Sequence, residues 1–511
     1  MYRATIIAAT LFALGTAYAA VDDPVHLDTG SISGTDTSSP DVRVFKGVPF
    51  AAPPVGDLRW RAPKPAAHWD GVRKADQFSP ICMQGNNAGS EDCLYLNVWT
   101  GAKSAGEKRP VMVWIYGGGY TSGSGSQAMY DGEALAKKGA VIVTLNYRLG
   151  TFGFFSYPEL TKESDRRGAA NFGVMDSIAA LQWVQKNIAA FGGDPKRVTI
   201  FGESAGAGMV ANLMTVPQAK GLFERAIGDS SAWSTATIAP LKTLAEAEEA
   251  GVKVADGLGT KSLAELRAKP ADVVLRGGGR GAAPVVDGWL IPEDPGAVFT
   301  KGKPIEVPVL TGSNRDESFG GNPRNKEQFI EQARTRFGDL ADNYLKLYPA
   351  STDEEARESA FYSGRDEMAF VMRNWARLAS KSGKTKSYVY YFTEQPPLVA
   401  AAPGGRGGGP FAPGPHGSAT HVSEILYVFN HLDGSRAWTD QDRQVADTMS
   451  SYWVNFATTG DPNGKGLAKW PVFDEKTKTP IVFGNKPEGA QAPSEDRLAF
   501  FQSYFDKLTA K

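Results

Sequence analysis

The segment Thr199–Gly208 reads TIFGESAGAG, and the apolar run Val198–Phe201 enters Gly-Glu-Ser-Ala-Gly directly. One hydroxyl, that of Ser204, stands between Gly202 and Gly206 at the end of this run. The residues that follow, AGMVANLM, read as helix. A strand that turns at once into a helix forces the corner residue into a strained conformation. Side chains two positions to either side would collide, and glycine avoids the collision. Gly-x-Ser-x-Gly alone arises easily in a glycine-rich chain. With a strand before it and a helix after it, the pattern is a nucleophile elbow that holds a hydroxyl above the sheet edge at a helix N-terminus.

The surrounding chain supplies the sheet. VMVWIY (111–116), VIVTLNY (141–147), VTIF (198–201), VPVLTG (307–312) and YVYYF (388–392) are apolar runs without alternation, bounded by turn residues. Such runs fit strands buried on both faces, as in a mostly parallel sheet covered by helices. Val174, Ile178, Leu181, Val184, Ile188 and Phe191 step by three and four, which predicts a helix closed by Gly192-Gly193 and leading through DPKR into VTIF. Strand and helix in alternation predict an α/β fold with right-handed crossovers. RGGGRGAAP (276–284) and APGGRGGGPFAPGPHG (402–417) read as flexible loops. No internal repeat or interdomain linker is visible, so residues 20–511 read as one large domain with long insertions.

Composition narrows the class. The chain has 511 residues, 42% hydrophobic and 22% charged, ample for a large core. Its 55 basic and 56 acidic residues leave a net charge of −1, which gives no general pull toward nucleic acid or anionic membrane. The N-terminus carries Arg3, an apolar run Ala4–Ala13 and a small-x-small sequence Ala17-Tyr18-Ala19. This predicts a secretory signal over residues 1–19 and an exported mature chain, periplasmic or released. No later run reaches the roughly 18 apolar residues of a membrane span. Two cysteines and no more, Cys82 and Cys93, suggest one disulfide in an exported protein, and two thiols cannot complete a zinc site.

An elbow serine needs a base, an orienting acid and oxyanion donors. Gly117-Gly118-Gly119 follows the strand VMVWIY and offers backbone N–H groups without side chains, joined by the N–H of Ala205. The chain has five histidines, and the order serine, acid, histidine leaves His416, His421 and His431. His416 lies in the Gly/Pro-rich stretch, and His421 opens HVSEILYVFN, the better setting for a positioned base. Asp316 and Glu317 follow the strand at 307–311, and either carboxylate fits on spacing alone.

The wider sequence resembles the type-B carboxylesterases, the family of bacterial para-nitrobenzyl esterases and, more distantly, cholinesterases. The resemblance runs through FKGVPFAAPPVGDLRWRAPKP, SEDCLYLNVW, NYRLGTFGFF, NFGVMDSIAALQWVQKNIAAFGGDPKRVTIFGESAGA, PVVDGWLIPEDP, GSNRDESF, HVSEILYVFN and WVNFATTGDPN. It implies Ser204 as nucleophile, Glu317 rather than Asp316 as triad acid, and His421 as base. It also implies Gly118, Gly119 and Ala205 as oxyanion donors, Glu203 and Ser230 as supports for the histidine, and Cys82–Cys93 as the N-terminal disulfide. Two positions depart from the family: Tyr116 and Tyr120 flank the glycines where His and Phe are usual, which alters the rim of the oxyanion hole. The short segment between the cysteines leaves no room for the aromatic-bearing loop of cholinesterases, which argues against choline recognition.

These readings imply hydrolysis of small-molecule esters through an acyl-enzyme, without metal or cofactor. A non-catalytic cholinesterase-like binding protein is the alternative from another class, but such proteins typically lose a triad member. Amide, carbamate and thioester cleavage would use the same groups. Trp233 reads either as an acyl-pocket wall or as core, and Arg276, Arg280 and Arg406 either as anion recognition or as solvated charge. The ester preferred and the oligomeric state are not written in these patterns.

Overall fold

The computed structural model describes residues 21–509 apart from 22, 86–87, 166–169, 234–237, 279–282, 318, 320, 399–418, 475–476 and 486–492. The export signal expected at 1–19, the Gly/Pro-rich stretch at 402–417, His416, Arg280 and Arg406 therefore lie outside the described residues.

Among the described residues ten strands form the main sheet. In chain order they are β1 (Thr35–Asp36), β2 (Arg43–Pro49), β3 (Tyr95–Thr100), β4 (Arg109–Ile115), β5 (Val141–Leu145), β6 (Gly193–Glu203), β7 (Arg225–Asp229), β8 (Val309–Asn314), β9 (Ser387–Phe392) and β10 (Ile481–Phe483). Across the sheet the order is β10-β9-β8-β7-β6-β4-β5-β3-β2-β1. From β10 to β5 every pairing is parallel. The five strands expected from apolar runs are neighbours or near neighbours in this parallel part. Every residue of β5, β8 and β9 is buried, as unbroken apolar runs demand when helices cover both faces.

The other edge is antiparallel, from β5 through β3 and β2 to β1, and no sequence pattern above anticipates it. Asn97 interrupts the apolar run of β3. Its side chain is consumed inside the sheet, accepting from Gly47 N at 3.0 Å and donating to Thr144 Oγ1 at 2.9 Å. The register shift between Phe45 and Val48 in β2 breaks the alternation there as well.

The predicted helix is α1, Phe172–Asn187, closed by a short 3-10 turn Ile188–Phe191 and by Gly192 at φ 78°. It is buried on more than the one stripe expected, because Asp176 is also inside, held by Arg148 at 2.7 Å and 2.8 Å. Of the stretch at 276–284, Gly278, Ala283 and Pro284 lie outside helix and strand as expected of a loop, and only its start departs. Arg276 and Gly277 end a helix, Ala271–Gly277, whose Val274 is buried in the core. Two helices matter to the site: α2, Ala205–Leu213, follows the elbow, and α3, Asp353–Ala379, lies against β8 and β9. Trp375 of α3 covers Gly228 so closely that a Cβ there would sit 2.0 Å from its ring.

The elbow glycines are set by the approach of β4. Ile115 pairs with Gly202. A Cβ on Gly202 would meet the Ile115 carbonyl oxygen at 2.5 Å, and one on Gly206 would meet it at 2.0 Å. The obstacle is backbone in a buried sheet, so it cannot rotate away. Gly206→Ala should therefore destabilise the fold by about 1–3 kcal/mol and displace the elbow. Gly106→Ala, whose Cβ would have only the Ser104 hydroxyl at 3.9 Å, serves as the control in the same denaturant and thermal melts.

Candidate active site

Ser204 occupies φ 56°, ψ −129°, a region that non-glycine residues rarely adopt. Its N–H donates to the Asp229 carbonyl on β7 at 2.9 Å, and its carbonyl accepts from Gly208 N at 2.9 Å as α2 begins. The turn is thus fastened on both sides, and the half-buried hydroxyl stands at the N-terminus of α2. The glycine run after β4 lies directly alongside. A Cβ on Gly117 would be 2.6 Å from the Glu203 carbonyl and 2.9 Å from Ser204 Cβ. Gly118 (φ 101°) and Gly119 (φ 62°) are exposed beside the serine. Among the described residues the N–H groups of Gly118, Gly119 and Ala205 donate to no acceptor, the condition an oxyanion hole requires.

His421 and Glu317, 104 residues apart in the chain, meet at Nδ1 to Oε2, 2.8 Å. Asn314, at the end of β8, joins their two segments. Its N–H donates to Glu317 Oε1 at 3.2 Å, and its side-chain amide donates to the carbonyls of Thr420 at 2.7 Å and His421 at 3.2 Å and to the Glu424 carboxyl. A second stitch runs two residues on: Asp316 N donates to Ala419 O and Ala419 N to Asp316 Oδ2, both at 2.9 Å. Asp316 is further held by Arg315 at 2.7 Å. Spacing leaves Asp316 and Glu317 equivalent, whereas the structure commits Asp316 to Arg315 and turns Glu317 to the imidazole. The Phe319 ring meets the imidazole edge to face, 4.4 Å between centroids.

His421 Nε2 lies 3.1 Å from Glu203 Oε1, outside hydrogen-bonding angles, and has no hydrogen-bond partner among the described residues. Its open side thus faces the residue adjoining Ser204, with no hydrogen bond to the Ser204 hydroxyl in this arrangement. Ser230, also at positive φ (56°), is wholly buried and donates its N–H to Gly312 O at 2.8 Å. Its hydroxyl makes no hydrogen bond to His421. Four buried carboxyls surround this centre: Glu203, Asp229, Glu317 and Glu424. Burial first, and the neighbouring carboxyls after it, push Glu203 and Glu424 well above the usual range. Glu317 alone receives the imidazole Nδ1. Asn314, Glu424 and Phe319 escaped the sequence reading. GSNRDESF and HVSEIL contain all three, but only their convergence in space marks them.

The remaining expectations are placed as follows. His431 lines a different cleft, with Lys46, Phe78 and Trp99. Trp233 is buried against Phe299 and Phe505, with centroids 5.2 Å and 5.9 Å away, which is the core reading of that residue. Arg276 pairs with Asp272 at 2.8 Å on the surface. Tyr116 and Tyr120 are buried under the glycine turn and do not form its solvent rim. Tyr116 stacks on Tyr147 at 4.5 Å, and the Tyr147 hydroxyl donates to the Tyr116 carbonyl at 2.9 Å. Cys82 and Cys93 form the expected disulfide. Among the described residues no cluster of three or more His, Cys, Asp or Glu side chains is suited to a metal ion.

Comparison with known proteins gives the family and the fold. The model of the carboxylesterase family matches residues 22–501. The fumonisin B1 esterase of Sphingopyxis macrogoltabida is 36% identical, over 92% of this chain and 88% of its own. The para-nitrobenzyl esterase of Bacillus subtilis is 32% identical, over 93% and 97%. Among solved structures, the carboxylesterase of Geobacillus stearothermophilus superposes with a TM-score of 0.76 at 32% identity, covering 90% of this chain and 95% of that one. These likenesses carry the α/β-hydrolase fold and hydrolysis of carboxylic esters by a serine hydrolase. The chain belongs to the carboxylesterase family.

Proposed function

We propose that ester hydrolysis here runs through Ser204, His421 and Glu317, with the N–H groups of Gly118, Gly119 and Ala205 as the oxyanion hole, all within one catalytic domain spanning 20–511. The 2.8 Å contact from His421 Nδ1 to Glu317 carries this reading, because it leaves Nε2 as the basic nitrogen, open toward the Ser204 turn. The missing contact between Nε2 and Ser204 Oγ forms as substrate settles, since catalytic hydrogen bonds are often loose before substrate binds. His421 then takes the serine proton, Ser204 attacks the ester carbonyl, and the three amides meet the developing oxyanion. His421 returns the proton to the leaving alcohol, and water repeats the sequence on the acyl-enzyme. Glu317 holds the imidazole and stabilises its cationic form. Glu203, with Oε1 3.1 Å from Nε2, flanks the histidine on the elbow side, and Ser230 acts on the neighbouring turn through Gly312 and not on the imidazole itself.

The substrate is a small carboxylic ester. The same groups could cleave amides or carbamates, and paired ester and anilide substrates separate these chemistries. The chain works outside the cytoplasm: Cys82–Cys93 is a disulfide, and among the described residues no helix is long and apolar enough to cross a membrane.

Ser204→Ala should lower kcat on a p-nitrophenyl acyl ester by about 10⁴–10⁶-fold and abolish labelling by an organophosphate. Turnover near the parent value would refute the nucleophile. Glu317→Gln should lower kcat by roughly 10⁴-fold through the wrong imidazole tautomer, while Asp316→Asn stays within about tenfold. The reverse ranking would make Asp316 the acid. Mass spectrometry of the mature protein recovered outside the cytoplasm should find a chain starting near Ala20; an intact Met1 start there would contradict export by signal cleavage.

A further inference from the structure

Four residues form one row across the sheet at the level of the elbow. Tyr390 of β9 pairs with Gly312 of β8, Gly312 with Asp229 of β7, and Asp229 with Glu203 of β6. Tyr390 and Asp229 are therefore two strands apart, roughly 10 Å, too far for ordinary side-chain neighbours on a sheet. They nevertheless touch: the Tyr390 hydroxyl donates to Asp229 Oδ1 at 2.9 Å. Gly312 makes this reach feasible, because the phenol ring lies where its side chain would be, 2.3 Å from a Cβ built there. Trp453 and Phe483 hold the other side of the ring, at 5.4 Å and 6.1 Å between centroids. The backbone carbonyl of the same Asp229 accepts the N–H of Ser204.

The charge surroundings of Asp229 are one-sided. It is fully buried, and Oδ2 has no hydrogen-bond partner among the described residues. The groups that face it are Tyr390 from β9, Glu203 from β6, and Glu424 from the segment that carries His421, with Glu317 beyond. Among the described residues no cation pairs with it. A bare carboxylate with one donor in such a place is strongly disfavoured.

We propose that Asp229 and Tyr390 form a brace under the Ser204 turn, and that Asp229 serves as a positioning residue in its neutral, proton-bearing form. Loss of that proton puts a negative charge one strand from the elbow, where serine and substrate oxygen must themselves become negative, and turnover falls. Burial accordingly pushes the Asp229 carboxyl up to about 8, and the Tyr390 hydrogen bond opposes part of that rise. The sign is fixed by these causes. Asp229 is neutral below about pH 8 and carries its charge beside the elbow above it, and removing the phenol hydroxyl, which favours the charged form, must move the transition to higher pH.

The proposal rests on Ser204 being the nucleophile, and the experiment separates the two ideas. kcat and KM for p-nitrophenyl acetate are measured from pH 6 to 10, corrected for spontaneous hydrolysis, in the parent, Asp229→Asn, Tyr390→Phe and Ser204→Ala. The parent kcat should fall about tenfold per pH unit above about pH 8. Asp229→Asn should lose this falling limb, with KM unchanged and kcat at pH 7 reduced by less than about tenfold, because an amide oxygen still accepts from Tyr390. Tyr390→Phe should shift the limb to higher pH and lower kcat about tenfold at unchanged KM. A flat parent profile, a limb that stays in place in Asp229→Asn, or one that Tyr390→Phe does not move upward overturns the brace. Should Asp229→Asn fail to fold in a thermal melt, Tyr390→Phe decides alone. A Ser204→Ala variant that still turns over overturns the catalytic reading itself, whereas an inactive Ser204→Ala beside an unmoved limb overturns only the brace.

Discussion

The contact between the end of β4 and the start of α2 governs the site. Ile115 presents its carbonyl where side chains of residues 202 and 206 would stand, so two glycines are obligatory and the strand and helix meet without a spacer. Two residues past the end of β4, Gly117 packs its backbone on Glu203 and Ser204. The same parallel register therefore brings the bare amides of the glycine run beside the serine hydroxyl. The elbow and the glycine turn with its unpaired amides are not two devices assembled separately. They are the two sides of one close approach between adjacent strands, and relaxing it by one methyl group disturbs both. Tyr116 and Tyr147 lock the approach from beneath by stacking and by the hydrogen bond from the Tyr147 hydroxyl to the Tyr116 carbonyl.

This dependence explains what was legible in the sequence. The parallel strands are buried on both faces, so composition alone spells them: VMVWIY, VIVTLNY and YVYYF contain no charged residue. The elbow was legible because its sterics dictate glycine at fixed offsets. The antiparallel edge was not, since Asn97 and the shifted register at Phe45–Val48 conceal the strand pattern under hydrogen bonds made only in three dimensions. The candidate acid and base show the same divide. Residue spacing narrowed the acid to Asp316 and Glu317 and no further. What distinguishes them is the guanidinium of Arg315 on one and the imidazole of His421 on the other. The Tyr390–Asp229 bridge was invisible for a sharper reason: it joins residues 161 apart across an intervening strand, and its only trace in sequence is the glycine at 312.

The strained residues reveal how the fold keeps such a site rigid. Tyr120, Ser204 and Ser230 are three of the non-glycine residues at positive φ, at 60°, 56° and 56°. Each lies just past the carboxyl end of a strand, after β4, β6 and β7, the edge of an open α/β sheet where ligands bind. Such conformations cost on the order of 1–3 kcal/mol each and persist only where the surroundings over-determine them. Here each strained turn is tied to a neighbouring segment by a main-chain hydrogen bond: Tyr120 O accepts from Gly150 N at 2.7 Å, Ser204 N donates to Asp229 O at 2.9 Å, and Ser230 N donates to Gly312 O at 2.8 Å. The last two run in sequence across the sheet, β6 to β7 and β7 to β8, so the elbow is held by a turn that is itself held by the next strand. Tyr390 adds a side-chain tie to the same chain from β9. A serine held this way cannot relax toward an ordinary turn without breaking the whole row, and its hydroxyl therefore keeps one orientation above the sheet edge.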